Sequence, residues 1–306
     1  FENGAKFAIN FVLTNALGSA LYGIFAYGYN IVQFSTSFST AGADQAILRY
    51  VPEHSDDSAT RNKLLSLAYV TSLVGSCLFA VLLFTFAPLV SHYTLEDETF
   101  VSILRLFAIS LPLLTMTQIV ANTFRALELI KRDVLLKRVL EPGIRLLAVS
   151  VAILLSATVM AATISFFIAG AFVTMIGIIS IFKFTNFSIS IDISREQTVS
   201  FYNFSLPLTV SGLGQMLYNK ADLFMVGMFL SADAVGIYNI SVLLTGLLTL
   251  PLIGFNQLFP AIASRLYAKQ ELEQLERIFS TQTRWVITIT IPLALVQLLY
   301  REELLR

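Results

Sequence analysis

Long apolar runs dominate this chain, and they leave it few ways to fold. Eight stretches, at 22–46, 64–90, 100–124, 142–157, 161–182, 202–230, 235–262 and 285–300, are almost free of charge, and a ninth, partial one ends near Leu17. Most reach the ~20 residues that a helix needs to cross ~30 Å of hydrocarbon. Backbone in lipid must satisfy its own hydrogen bonds, so these runs predict spanning α-helices. Of the 306 residues, 56% are hydrophobic and only 13% are charged, about half the charge of a soluble domain. The reading is an all-α, polytopic membrane helical bundle.

Charge placement gives the bundle a direction. The connections alternate in sign content along the chain. Those at 46–63, 124–141, 183–201 and 263–284 hold 14 of the 20 Lys and Arg residues, and the opposite set holds none. The positive-inside rule puts the basic set in the cytoplasm of a plasma (inner) membrane. Trp285 and Tyr300 fall at the two interfaces of the last span, as an aromatic belt requires. Between spans, 265–284 carries Leu272, Leu275 and Phe279 at helical spacing. It reads as an interfacial helix, against a plain solvated linker. Glu96-Asp97-Glu98 reads as a solvated loop.

Several functions are disfavoured at this stage. A formal net charge of zero argues against a nucleic-acid partner. The single cysteine, Cys77, and two distant histidines, His54 and His92, offer no zinc spacing, and no cofactor is expected. No loop of the non-basic set exceeds about ten residues and no Asp-x-Asp pair occurs, which speaks against a membrane glycosyltransferase.

An internal repeat organises the spans. Leu-Gly-Ser-Ala-Leu-Tyr-Gly-Ile-Phe at 17–25 matches Leu-Ser-Ala-Asp-Ala-Val-Gly-Ile-Tyr at 230–238, an offset of 213 residues. Both copies lead from a short turn into a span that ends at a basic loop. The copies lie an even number of spans apart, so the repeats run parallel. Two pseudo-symmetric six-helix lobes are expected, with a site between them. The division is 1–183 for the first lobe, 184–201 for a cytoplasmic linker and 202–306 for the start of a second, truncated lobe. The chain starts without Met, and further helices are expected at both ends.

Polar residues inside spans are costly and mark cavities or helix contacts. Gln33, Ser37, Thr40 and Asp44 share one face of the 22–46 span; Gln118, Asn122 and Arg125 share one of the 100–124 span. Gln215, Asn219 and Asp222 do so on 202–230, and Tyr238, Ser241, Thr245, Thr249 and Asn256 on 235–262. Ser and Thr suit hydrogen bonding between packed helices; Gln, Asp and Arg suit a water-filled cavity. Lys220 lies in mid-span, two residues from Asp222 and turned away from it. Arg105 and Arg145 read as charges near the surfaces that snorkel outward. Pro112, Pro207, Pro251 and Pro292, with Gly212 and Gly214, permit bends within spans.

The stretch at 17–25, followed by a span and Leu48-Arg-Tyr-Val-Pro-Glu53, resembles the opening of polysaccharide and O-antigen flippases. These belong to the multidrug/oligosaccharidyl-lipid/polysaccharide exporter superfamily. Phe204-Ser-Leu-Pro-Leu208, Ala221-Asp-Leu-Phe-Met-Val-Gly227, Val235-Gly-Ile-Tyr238, Phe259-Pro260 and Arg284-Trp285 follow in an order similar to the family's seventh to ninth helices. The resemblance implies movement of an isoprenoid-linked oligosaccharide between leaflets through a central cationic cavity. It implies Lys220, Arg49 and Arg125 as phosphate partners, and Asp44 and Asp222 as sites for a coupling proton or Na+. Glycan-assembly proteins are the expected protein partners. A drug/cation antiporter of the same superfamily is the competing expectation.

Overall fold

The structure is a computed structural model, and it describes residues 2–185, 187–188 and 194–299. Among these residues every regular element is helical. The helices are α1 (Glu2–Ser39), α2 (Ala43–Glu53), α3 (Ser58–His92), α4 (Glu98–Ala126), α5 (Ile130–Asp133), α6 (Glu141–Leu155), α7 (Val159–Phe184), α8 (Arg195–Phe229), α9 (Ala232–Ala268) and α10 (Leu272–Leu299). A π-helical stretch, Val134–Leu140, joins α5 to α6. Six helices, α1, α3, α4, α7, α9 and α10, are long and apolar enough to cross a membrane. At 15 residues α6 is shorter than a full span, and the 35 residues of α8 are too polar to pass the same test. Two compact units divide the chain, one up to Gly236 and one from Ile237 onward.

Several boundaries follow from local chemistry. Gly18 breaks α1 at φ 75°, a backbone that a residue without Cβ adopts freely. It separates the partial first helix from the second span, as the sequence predicts. The second span is shorter than predicted. It stops at Ser39, and Thr40-Ala41-Gly42 turns the chain, with Ala41 at φ 47° and Gly42 at φ 72°. The face shared by Gln33, Ser37, Thr40 and Asp44 is therefore broken, with Asp44 on the separate helix α2. Periodicity alone cannot register a left-handed turn. At Gly42 the chain passes so close to the Ser205 carbonyl that a methyl group has no room.

Caps set other ends. Asp57 accepts from the backbone N–H groups of Ala59 and Thr60, both at 3.1 Å, and starts α3. Asp97 does the same for α4 through Thr99 at 2.6 Å and Phe100 at 3.4 Å, so the acidic run at 96–98 carries a cap. Thr158 caps α7 by accepting from Ala161 at 3.2 Å, after a connection of only Ser156-Ala157-Thr158. A capping box of Ser194 and Gln197 starts α8 at Arg195, earlier than predicted and inside the expected linker.

The first unit packs around α1 and α4. Phe25 meets Phe107 and Phe166 with ring centroids 5.3 and 5.0 Å apart, and Gly28 makes room for Phe107. Ala43, Ala46, Ile47 and Val51 of α2 bury one face against Leu64, Leu65, Ile119 and Phe201. Helix α8 lies against α1, with Phe224 stacked edge-on to Tyr27 at 6.1 Å and Gly227 directly over the Tyr27 ring. The two glycines of the internal repeat meet each other. A Cβ on Gly23 would overlap the Ala232 carbonyl oxygen and sit 2.9 Å from the Gly236 nitrogen, and a Cβ on Gly236 would overlap the Ser19 carbonyl oxygen. Beside them the Ser19 hydroxyl bonds the Asp233 carboxylate.

The second unit holds the rest of α9, and α10. Gln297 donates to the Leu244 carbonyl at 2.8 Å, and Phe259 meets Phe279 at 5.9 Å. The predicted interfacial helix over 265–284 is not a separate element. Residues 265–268 end α9, Gln270 turns the chain at φ 59°, and 272–284 form the start of α10. Trp285 is on α10 and exposed; Tyr300 lies outside the described residues.

Candidate functional site

The most concentrated buried chemistry in the first unit joins α1 to α6. Lys137, Glu141 and Arg145 recur four residues apart, which stacks them on one helix face. Lys137 Nζ lies 3.1 Å from one Glu141 oxygen, and Arg145 Nη2 lies 2.8 Å from the other. Arg145 Nη1 also donates to the Tyr29 hydroxyl at 2.9 Å, and Gln33 Nε2 donates to the same oxygen at 2.5 Å. The guanidinium sits 5.3 Å from the Phe166 ring centroid. Side-chain exposure is 9% for Arg145 and 13% for Glu141, so both charges are largely out of water. Two cations share one carboxylate, and the cluster carries a net positive charge. Arg145 Nε is buried without a hydrogen-bond partner.

This cluster corrects the sequence reading of Arg145 as a snorkelling surface charge. The residue points into the bundle and ties α6 to Tyr29 of α1. Its signal in the sequence was the Lys-x3-Glu-x3-Arg spacing at 137–145, which the predicted boundary at residue 142 cut in two. Of the expected cavity residues, Gln33 belongs to the cluster.

The others are dispersed. Asp44 accepts from Thr40 Oγ1 at 3.1 Å and Gln45 Nε2 at 3.2 Å, and its backbone carbonyl accepts from Asn122 Nδ2 at 3.4 Å. Asn122 is buried, and Gln118, a turn earlier on α4, is half-buried. Arg49 is exposed, 3.3 Å from Glu53 and stacked 4.3 Å over Phe204. Arg125 is held by Asp133 at 2.7 Å, at the end of α4. On α8, Gln215, Asn219 and Asp222 are exposed and Lys220 is half-buried. Lys220 makes no ion pair with any described residue. In the second unit Asn256 accepts from Gln282 Nε2 at 3.3 Å.

Helix order and packing of this kind have counterparts. The model of a family described as polysaccharide biosynthesis protein matches residues 1–265. The chain belongs to that polysaccharide biosynthesis family. Among curated proteins none matches. Solved structures give the fold. An inward-facing multidrug resistance MATE family transporter of the MOP superfamily is 17% identical, with a TM-score of 0.71 over 98% of this chain and 69% of that one. A MOP superfamily transporter from Pyrococcus furiosus, described as having a binding pocket of reverse polarity, is 15% identical, with a TM-score of 0.59 over 97% of this chain and 67% of that one. An outward-facing MATE transporter is 16% identical, with a TM-score of 0.56 over 97% and 67%. This member of the polysaccharide biosynthesis family is thus a multi-pass membrane protein with the MOP superfamily fold. In this family member, Tyr29, Gln33, Lys137, Glu141 and Arg145 form one buried network, while the polar residues of α8 stand apart from it on an exposed face.

Proposed function

We propose that the protein is a flippase that moves an isoprenoid-linked oligosaccharide from the inner to the outer leaflet, for synthesis of a cell-surface polysaccharide. The observation that carries this reading is the C-terminal half of α8. Lys220 lies there without an ionic partner among the described residues, with Gln215 and Asn219 on the adjoining exposed surface. An unpaired cation at mid-span is costly against lipid and is expected to face a hydrated cavity or protein. An ammonium pairs the phosphate of a lipid carrier, and primary amides bond sugar hydroxyls. The family match supports a polysaccharide-related cargo. The protein makes and breaks no covalent bond in this scheme and is not an enzyme. The cavity lies between a lobe of residues 1–183 and a second lobe beginning at residue 202, joined by a cytoplasmic segment at 184–201, with the basic loops facing the cytoplasm of the inner membrane. In this reading Asp44 and Asp222 take a coupling H+ or Na+, Gln118 and Asn122 supply amides from α4, and Asn256 of the second unit is a further candidate. Arg49 and Arg125 are the further cations this reading offers to the phosphate. Glycan-assembly proteins receive the product.

The test reconstitutes the full-length protein in liposomes with a fluorescent lipid-linked oligosaccharide and follows its loss from one leaflet by chemical quenching. Flipping above protein-free vesicles is expected, with Lys220→Ala slowing it at least tenfold. Absent flipping together with efflux of cationic drugs would replace this reading with the antiporter. Normal flipping by Lys220→Ala would remove that residue from the cavity.

A further inference from the structure

Far from Lys220, the start of α8 and the end of α2 border a cleft in the first unit. It has a volume of about 800 Å³, within the range of small-molecule sites, and opens widely along one side. Arg195 and Asn203 lie two turns apart on one stripe of α8, and Glu196, Ser200 and Phe204 recur four apart on the adjoining one. Tyr50 of α2 lines the cleft opposite them. Its hydroxyl lies 3.3 Å from both the carbonyl and the hydroxyl oxygen of Ser200, and its ring meets that of Phe204 edge-on at 5.5 Å. The Arg49 guanidinium sits 4.3 Å over Phe204, with Nε held 3.3 Å from Glu53. The aromatic corner is thus fixed from both helices before anything binds.

The polar groups of the cleft are unspent. The side chains of Arg195, Glu196 and Asn203 are exposed and make no hydrogen bond or ion pair with a described residue. Arg195 offers donors only, Glu196 acceptors only, and the Asn203 amide both. The formal charges cancel, Arg195 against Glu196 and Arg49 against Glu53. A phosphate gains no net attraction from such a set, and neither does a cation. A neutral polyol fits it better. Each of its hydroxyls donates and accepts at once, and its C–H faces lie against aromatic rings. The α8 residues of the cleft fall at or before the start of the apolar run at 202–230. A water-soluble group therefore reaches them without entering hydrocarbon.

We infer that this cleft is a carbohydrate subsite, which holds sugars of the cargo with Tyr50 and Phe204 as its apolar wall and Arg195, Glu196 and Asn203 bonding the hydroxyl groups. The inference rests on the flippase reading, because its ligand is the glycan of that cargo. Phe204 and Lys220 are 16 residues apart in the sequence, which is about 24 Å of helix. The subsite therefore acts on the sugars and not on the lipid phosphate, and it selects cargo by its glycan before the head group engages Lys220.

The test uses the full-length protein in nanodiscs. The probe is the glycan released by mild acid from the lipid-linked oligosaccharide of the cells that make the protein, so neither lipid nor diphosphate is present. Saturation-transfer NMR and titration calorimetry read its binding. Binding is expected, and Asn203→Ala combined with Glu196→Gln should weaken it at least tenfold. Both residues are exposed and unpaired, so the fold should survive, and the thermal midpoint checks this. Asp56→Asn changes the charge equally at an exposed position outside the cleft and should leave binding at the parent level. No binding of the released glycan overturns the inference, whether or not the protein flips its cargo. Unaltered binding in the cleft variant, or equal loss in Asp56→Asn, overturns it too. Failed flipping with cleft-dependent glycan binding retained keeps the subsite and removes the flippase reading instead.

Discussion

Gly23→Ala is the smallest change with the largest expected effect on how α1 meets α9. The added methyl would overlap the Ala232 carbonyl oxygen and stand 2.9 Å from both the Ala232 carbonyl carbon and the Gly236 nitrogen. Ordinary contact between such atoms is about 3.5–4.0 Å, so relieving the overlap with the carbonyl oxygen requires the two backbones to part by about 1.5 Å. Nothing flexible is available to yield, because every atom met is main chain. Overpacking of this kind costs about 1–3 kcal/mol. A cost in that range corresponds to roughly 5–150-fold in any equilibrium that includes the contact. Gly236→Ala meets the Ser19 carbonyl in the same way. The double variant should cost less than the two singles together, since helices already parted for one methyl have room for the second. Ser19 and Asp233 are bonded side chain to side chain and supply the assay. Ser19→Cys with Asp233→Cys, in a Cys77→Ser background, should form a disulfide readily when Gly23 is present and at least fivefold more slowly in Gly23→Ala. Equal cross-linking rates and an unchanged thermal midpoint would refute the reasoning.

Two further outcomes follow from the first unit. Arg145→Gln leaves the buried Glu141 carboxylate with Lys137 alone, and breaking a buried pair costs about 3–5 kcal/mol. The thermal midpoint in detergent should fall, and Glu141→Gln added to Arg145→Gln should restore part of it; a double variant no more stable than the single would count against the pairing. Asp57 is held below its ordinary carboxyl value by the Thr60 hydroxyl, then by the Thr60 and Ala59 N–H groups. Its folded pKa is lowered, so its contribution is fully present above about pH 5 and disappears as pH falls through the folded value. Asp57→Ala should therefore lower the midpoint at neutral pH and converge with the parent in strong acid, and a gap that persists in acid would assign the effect elsewhere.

Much of this fold could be read from letters alone, because lipid imposes one rule on every exposed surface. Runs such as 64–90 and 161–182 have no alternative to a spanning helix, and the break near Leu17 is visible where Gly18 interrupts the pattern. The features that escaped are those where a three-dimensional neighbour overrides periodicity. Thr40, Ala41 and Gly42 keep a helical polar pattern, yet Ser205 and two positive φ values turn the chain there. Residues 272–284 have the amphipathic pattern of a surface helix and run straight into a span. Arg145 lies one turn from a predicted span end, where a charge reads as solvated, and only its partner Tyr29, 116 residues away, shows that it turns inward. The repeat was visible as a match between Gly23 and Gly236; that the two touch was not.

The π-helical stretch at Val134–Leu140 has a consequence for how the chain tolerates changes in length. A π turn is an α-helix with one residue too many, closed by i→i+5 hydrogen bonds. Deleting one residue there would relax it to a plain α-helix and rotate everything before it by about 100° relative to Glu141 and Arg145. A deletion after Lys137 would swing Lys137 off the face that reaches Glu141. A deletion between residues 134 and 140 should thus be more harmful than most point substitutions in the same stretch, and the count of residues there is as much a part of the design as their identities.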